Sequence, residues 1–210
     1  MSSYNRSLYL RYADALRHPG HFSTAISEFF AKDANINVVH PFNEIQSADA
    51  FFLKFMAPLQ QAFEGLYRRD YIFMTGQFEG KDWISSTGYY VGRFAKDWIG
   101  IKATDTLCYL RYGEFHQVKN GKVVESYIYL DIPELMIACN EWPLKMGPGL
   151  SRGYTGLIQG PASCDGVIAK ASDPNEGQRS YEIVTNMLNE LATKDEAWRP
   201  YWHENMMWYG

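Results

Sequence analysis

The sequence predicts an α+β fold, a curved antiparallel sheet with helices packed on one face, and three observations carry that prediction. Apolar residues recur at helical spacing through the first third of the chain. The middle third changes to runs rich in β-branched and aromatic residues, separated by glycine-containing turns. Asn120-Gly121 stands between two such runs and has the chemistry of a type I′ hairpin turn. Helices followed by antiparallel strands pack as α+β, because a sheet with one apolar face needs a separate layer to cover it.

Leu8, Tyr12, Ala15 and Leu16 predict the first helix, with Ser7 placed as its cap, and Pro19-Gly20 ends it. Phe22, Ile26, Phe29 and Phe30 predict a short second helix. A strand over 35–40 follows and stops at Pro41. Ser47 caps a third helix with Phe52, Phe55, Met56, Leu59 and Phe63 on one stripe. Pro58 should kink or split it, since proline lacks the N–H that the helix interior uses. Strands are then predicted over 71–75, 83–93, 107–118 and 122–131.

Beyond a first domain over 1–145, the stretch 146–177 is rich in Gly, Pro and Ser and reads as a linker or surface loop. A helix resumes at Ser180 with Tyr181, Val184, Leu188 and Leu191 on one face, and 202–210 is strand-like. A shift of 172 residues lays Tyr9 on Tyr181, Tyr12 on Val184 and Leu16 on Leu188. The segment 178–210 is therefore expected to be the start of a truncated second copy of the fold. Its large aromatics, Trp198, Tyr201, Trp202, Trp208 and Tyr209, need another surface to cover them, and a homodimer is the expected source.

Composition narrows the function classes. The 210 residues carry a net charge of −4 with no block of like charges, which argues against nucleic acid and anionic membrane as partners. No apolar stretch approaches the ~20 residues of a membrane span. The first residues lack a signal-peptide core, so a cytoplasmic location is expected. Cys108, Cys139 and Cys164 are odd in number and widely spaced, without a disulfide frame or a CxxC site. Five scattered histidines show no HxxxH or HExxH spacing, so neither metal nor cofactor is expected. Aromatics reach 16% of the chain, which suits a cavity for a flat, partly polar ligand as well as an aromatic core.

The hairpin carries most of the chemistry. A two-residue turn pairs Lys119 with Lys122, and an unbroken ladder then pairs His116 with Glu125, Glu114 with Tyr127, Tyr112 with Tyr129 and Leu110 with Asp131. One face would then hold Tyr112, Glu114, His116, Glu125, Tyr127, Tyr129 and Asp131. A bulge at Gly113 would flip that parity. Each polar group also has a structural role open to it. His116 and Glu125 could form a cross-strand hydrogen bond, and Glu114 could be solvated. Asp131, just before Pro133 and Glu134-Leu135-Met136, could cap a helix or serve as acid or base at a cavity mouth.

The run 110–118 from Leu110 to Val118, the turn Asn120-Gly121-Lys122, Glu125 and then Asp131 resemble the signature of the SnoaL-like ester cyclases. Those belong to the broader nuclear-transport-factor-2-like superfamily. Upstream, Thr87 to Phe94 resembles the family's G-T-H-x-G-x-F, and Gly100-Ile101-Lys102-Ala103-Thr104 its G-x-P-A-T. His40-Pro41 after the first strand also fits. The resemblance covers about residues 8–145. It implies a cone-shaped fold, with helices on the concave face of a bent sheet around an apolar pocket, dimerised through the outer sheet face. It implies cofactor-free intramolecular aldol cyclisation of a polyketide, with the aspartate matching Asp131 as acid and base. Tyr90 stands where the family has His, and Tyr127 where it has Trp. Asp131 and His116 are thus the candidate catalytic residues, with His40, Trp83, Tyr90, Tyr112 and Tyr129 as candidate ligand contacts. Three functions fit: a cyclase or isomerase, a cofactor-free hydrolase or dehydratase, or a non-catalytic protein binding a small hydrophobic or polyketide-like ligand.

Overall fold

Strand pairing organises most of the described residues around one sheet. The computed structural model describes residues 3–144, 167, 173–191 and 199–204. The chain divides into two compact units, Met1–Val167 and Ile168–Gly210.

In the first unit, α1 (Ser3–Ala15) starts ahead of Ser7, which lies inside the helix and does not cap it. Leu8, Tyr9 and Tyr12 from α1, and Leu16 just beyond it, are buried. A 3₁₀ turn over Pro19–His21 separates α1 from α2 (Phe22–Phe29), which buries Phe22, Ala25, Ile26 and Phe29. Phe30 turns extended and opens β1 (Phe30–Val38), so the strand begins earlier than its own pattern suggests. The short β2 (Asn43–Gln46), which sequence reasoning missed, folds back on β1. The Ser47 hydroxyl accepts the Ala50 N–H at 3.1 Å and caps α3 (Ala48–Phe51). The helix widens through a π-turn, Phe52–Met56, into α4 (Ala57–Ala62). Pro58 lies just past the π-turn, where the Ala57 N–H reaches back to the Phe52 carbonyl, and the helix runs on to Ala62. Phe63 leaves the helical stripe to begin a strand.

That strand is β3 (Phe63–Phe78), followed by β4 (Lys81–Phe94), β5 (Leu107–Lys119) and β6 (Lys122–Leu130). The sheet order is β2-β1-β6-β5-β4-β3. β1 runs parallel to β6, and the other neighbouring pairs are antiparallel. Three extra residues bend the meander, because two residues on one strand then oppose one on its neighbour. The first is near Gly65 (φ 68°), the second at Tyr71, and the third at Val124 in β6. Asn120 (φ 52°) and Gly121 (φ 74°) form the predicted type I′ turn. α5 (Ile132–Ala138) closes the described core with Leu135 fully buried.

In the second unit, α6 (Pro174–Leu191) begins six residues ahead of the expected Ser180. Its apolar face is bare: Tyr181, Val184 and Leu188 are exposed, whereas Tyr9, Tyr12 and Leu16 at the matching repeat positions are buried in the first unit. A 3₁₀ turn, Arg199–Tyr201, follows, and the Trp202 indole N–H reaches the Met187 sulfur at 3.1 Å. The linker reading of 146–177 falls almost wholly outside the described residues, as do Cys164, Trp198, Trp208, Tyr209 and the strand-like ending. Among the described residues, no helix is long and apolar enough to cross a membrane.

Candidate functional site

The extra residue in β6 decides which side chains meet inside. Lys119 pairs with Lys122 and Val118 with Val123, as an unbroken ladder requires, but Gln117 then faces Glu125. From there on His116 faces Ser126, Glu114 faces Ile128 and Tyr112 faces Leu130. The bulge thus falls on Val124 and not on Gly113, and it reverses the facing of β6 relative to the expected ladder. Tyr112, Glu114 and His116 point into the unit. Tyr127 and Tyr129 lie on the outer face, Tyr129 being 54% exposed beside Phe115. Tyr129 is therefore not a cavity residue.

The other candidates divide accordingly. Trp83 pairs with Gln117 on the outer-facing register and its ring lies 6.4 Å from that of Tyr127, so it too is outside. His40 is exposed in the turn after β1. Asp131 continues the outer register: its N–H donates to the Arg111 carbonyl at 2.9 Å. Its carboxylate accepts the Glu134 N–H at 2.9 Å and caps α5, the structural role left open above. Glu134, beside it, has its carboxyl pushed up to about 7 by burial and by the Asp131 charge, against the pull of Arg111.

His116, Tyr90 and Tyr112 do converge, on a buried charged network centred on Arg68. β3 supplies Arg68 and Asp70, β4 supplies Ser86 and Tyr90, β5 supplies Tyr112, Glu114 and His116, and β6 supplies Ser126. Tyr9 and Tyr12 cover it from α1. The side chains of Arg68, Asp70, Glu114 and His116 are all fully buried. Arg68 Nε and Nη2 each donate to Asp70 Oδ1 at 3.0 Å, and Nη2 also reaches the Tyr9 hydroxyl at 2.9 Å and Ser86 Oγ at 3.1 Å. Nη1 lies 2.8 Å from Glu114 Oε2. The guanidinium also stands 4.1 Å from the centre of the Tyr112 ring, a cation–π contact in a dry setting.

Burial alone would disfavour every charge here, and the pairing decides which survive. For Glu114, burial pushes the carboxyl up, but Arg68 and the His116 hydrogen bond outweigh it and hold the pKa at about 2. For Arg68, burial favours losing the proton, but Asp70 and Glu114 outweigh it and raise its pKa. Burial likewise raises the phenols of Tyr9, Tyr12, Tyr90 and Tyr112, so all four are neutral donors.

Asp70 has an asymmetric environment. Its Oδ1 accepts from Tyr9, from Tyr112 at 2.7 Å and from two Arg68 nitrogens. Its Oδ2 is buried with no partner among the described residues, as is the Tyr12 hydroxyl. Gly88 makes this packing feasible. A Cβ there would stand 2.6 Å from the Tyr112 hydroxyl and 2.1 Å from the Arg69 carbonyl oxygen. His116 is held at both ring nitrogens, 2.7 Å from Ser126 Oγ and 3.1 Å from Glu114 Oε2.

Sequence reasoning named Tyr90, Tyr112 and His116 of this network, left Glu114 as a solvated group, and missed Arg68, Asp70, Tyr9, Tyr12, Ser86 and Ser126. The signal available was an Arg-Arg-Asp cluster just ahead of a predicted strand, which reads as solvated surface until β3 is known to start at Phe63. Among the described residues, no cluster of three or more His, Cys, Asp or Glu is placed to hold a metal ion.

No family model matches the chain, and no curated protein matches it. Solved structures do. A candidate hydroxylase, AclR from Streptomyces galilaeus, matches with a TM-score of 0.57 at 21% identity, over 68% of this chain and 100% of that one. A candidate SnoaL-like polyketide cyclase from Jannaschia matches with a TM-score of 0.52 at 16% identity, over 67% and 94%. A nuclear-transport-factor-2-like protein from Burkholderia pseudomallei matches with a TM-score of 0.51 at 12% identity, over 65% and 97%. Helices over a bent six-stranded sheet, an interior lined by the strands β3 to β6 and these matches agree: the first unit has the cone-shaped, nuclear-transport-factor-2-like fold seen in the SnoaL-like polyketide cyclases.

Proposed function

We propose that the chain is a cofactor-free acid–base enzyme of the cyclase or isomerase type, acting on a small, oxygenated, hydrophobic substrate of polyketide character. The observation that carries this reading is the unpaired, buried Oδ2 of Asp70. A carboxylate fixed by four donors at one oxygen and free at the other is a base with a defined direction of attack. The Tyr12 hydroxyl over the network, a neutral phenol without a partner among the described residues, is the donor left for an enolate or alkoxide oxygen, since Arg68, Tyr9 and Tyr112 already donate within the network. In an aldol closure, Asp70 would take an acidic α-proton and the resulting carbanion would add to a carbonyl carbon. The same proton then returns to the alkoxide, so the reaction balances without a cofactor. Substrate entry requires the Tyr12 ring to give way, since α1 covers the network. The family resemblance assigns the acid–base role to Asp131, so both aspartates are tested together.

The test uses ethyl acetoacetate as a model C–H acid, with deuterium exchange at its α-carbon followed by NMR. Exchange above the buffer rate, lost in Asp70→Asn and kept in Asp131→Asn, supports the reading. Loss only in Asp131→Asn moves the role to that residue. Exchange at the buffer rate in the unmodified protein removes the enzyme reading and leaves a binding protein.

A second reading rests on a different line of contacts. Ser126, His116 and Glu114 stand in the order nucleophile, base and orienting carboxylate, with both hydrogen bonds made. That order suits a cofactor-free hydrolase. Hydrolysis of p-nitrophenyl acetate that disappears in Ser126→Ala, with folding intact, would favour it over the cyclase.

A further inference from the structure

We infer that a surface cavity at the α4 end of the first unit is a binding site for a small flat monoanion, of the class of aromatic carboxylates. The cavity holds about 280 Å³, close to the lower end of the range of about 300–1,000 Å³ typical of small-molecule sites. None of its lining residues belongs to the Arg68 network, so this inference does not depend on the proposed acid–base chemistry.

One side of the cavity is aromatic and apolar. The Phe42 and Trp98 rings lie 5.8 Å apart at an interplanar angle of 31°, and Pro58 faces the same space from α4. Trp98 and Ile101 exchange both backbone hydrogen bonds, at 3.1 and 2.9 Å. Ile99 and Gly100 between them take positive φ values of 47° and 85°. A tight, doubly bonded turn therefore fixes the indole, and a ligand ring would pay little to order it.

The charge at the rim is unbalanced. Lys54 and Lys96 both line the cavity, are exposed, and have no acidic partner among the described residues. Asp97 also lines it but is already engaged: its carboxylate accepts from the Lys102 ammonium at 2.6 Å and from the Ala103 N–H at 2.9 Å. Two ammonium groups beside an aromatic wall select for an anion carried on a flat apolar body. Trp98 adds a third feature. It is buried, and its indole N–H has no acceptor among the described residues, which a folded protein rarely leaves so. A flat ring packed on the Phe42–Trp98 wall would change the surroundings of that indole.

Titration calorimetry of the full chain at low ionic strength tests the site with sodium benzoate as the probe. Benzamide has the ring without the charge, and inorganic phosphate has the charge without the ring. Benzoate should bind about tenfold more tightly than either, and about tenfold more weakly to Lys54→Gln/Lys96→Gln, because charge-assisted contacts carry the preference. Both lysines are exposed, so the double variant should melt with the unmodified protein. In ¹⁵N-labelled protein the indole signal that Trp98→Phe removes should shift on adding benzoate. Absence of benzoate binding, equal binding of benzamide or phosphate, undiminished binding to the lysine variant, or a stationary Trp98 signal would each overturn the inference.

Discussion

Replacing Arg68 by Met removes the one cation of the buried network and keeps most of its side-chain volume. Six side-chain hydrogen bonds leave with it: two to Asp70 and one each to Glu114, Tyr9, Ser86 and Tyr90. Asp70 and Glu114 are then two fully buried carboxylates without a counter-ion. Breaking a buried pair from one side costs about 3–5 kcal/mol, because the stranded charge keeps its desolvation penalty and loses its partner. For a domain of this size that corresponds to a fall in Tm of roughly 6–20 °C. The loss should grow with pH. In the variant, burial dominates at Glu114 and its folded pKa rises above the ordinary carboxylate value. Stability is then present at low pH and is lost as pH rises through that raised pKa. Urea unfolding at pH 5 and pH 8 measures both effects. The triple variant Arg68→Met, Asp70→Leu, Glu114→Met removes the stranded charges and should recover most of the loss. A single-variant cost under about 1 kcal/mol, or a triple variant no more stable than the single one, would refute the view that pairing alone keeps these charges inside.

Three further substitutions test neighbouring statements. Gly88→Ala should destabilise by about 1–3 kcal/mol, the usual cost of overpacking, since the new methyl meets the Arg69 backbone as well as the Tyr112 hydroxyl. Thermal melting checks it, and an unchanged Tm would mean that β3 and β4 part without strain. Asp131→Ala should cost about 1 kcal/mol through loss of the α5 cap, read from urea midpoints, and a neutral result would show that the cap is dispensable. Glu134→Gln should stabilise the protein more at pH 8 than at pH 5. The raised Glu134 pKa of about 7 means that stability present below the ordinary glutamate range is lost as pH rises through 7, and glutamine cannot lose that proton. A pH-independent difference between the two proteins would contradict the assignment.

The fold class was legible because it rests on periodicity, which a single sequence displays. The hairpin turn was legible because Asn120-Gly121 has little alternative to a conformation with two positive φ angles. The length of β3 was not. Arg68, Arg69 and Asp70 look like a solvated cluster, and only tertiary pairing with β4 and the Glu114 carboxylate of β5 gives Arg68 a reason to be buried. Local pattern carries no trace of a partner many residues away.

The facing of β6 failed for a more instructive reason. The unbroken ladder put Glu114, Tyr127, Tyr129 and Asp131 together because directly paired residues share a face, and it left Ile128 and Leu130 as an apolar set on the opposite side. One extra residue at Val124 separates those groups differently: Ser126, Ile128 and Leu130 go inside with Tyr112, Glu114 and His116, while Tyr127 and Tyr129 go out. The buried face is thus the mixed one. Hydrophobicity could not have found it, since Phe115 is about half exposed while Glu114 and His116 beside it are sealed. What makes this arrangement favourable is charge pairing to Arg68, a residue absent from the hairpin altogether. A reading confined to one hairpin could weigh each polar side chain against water. In this fold the competing partner was not water but a cation on another strand, and that cation decides which face of the hairpin is the inside.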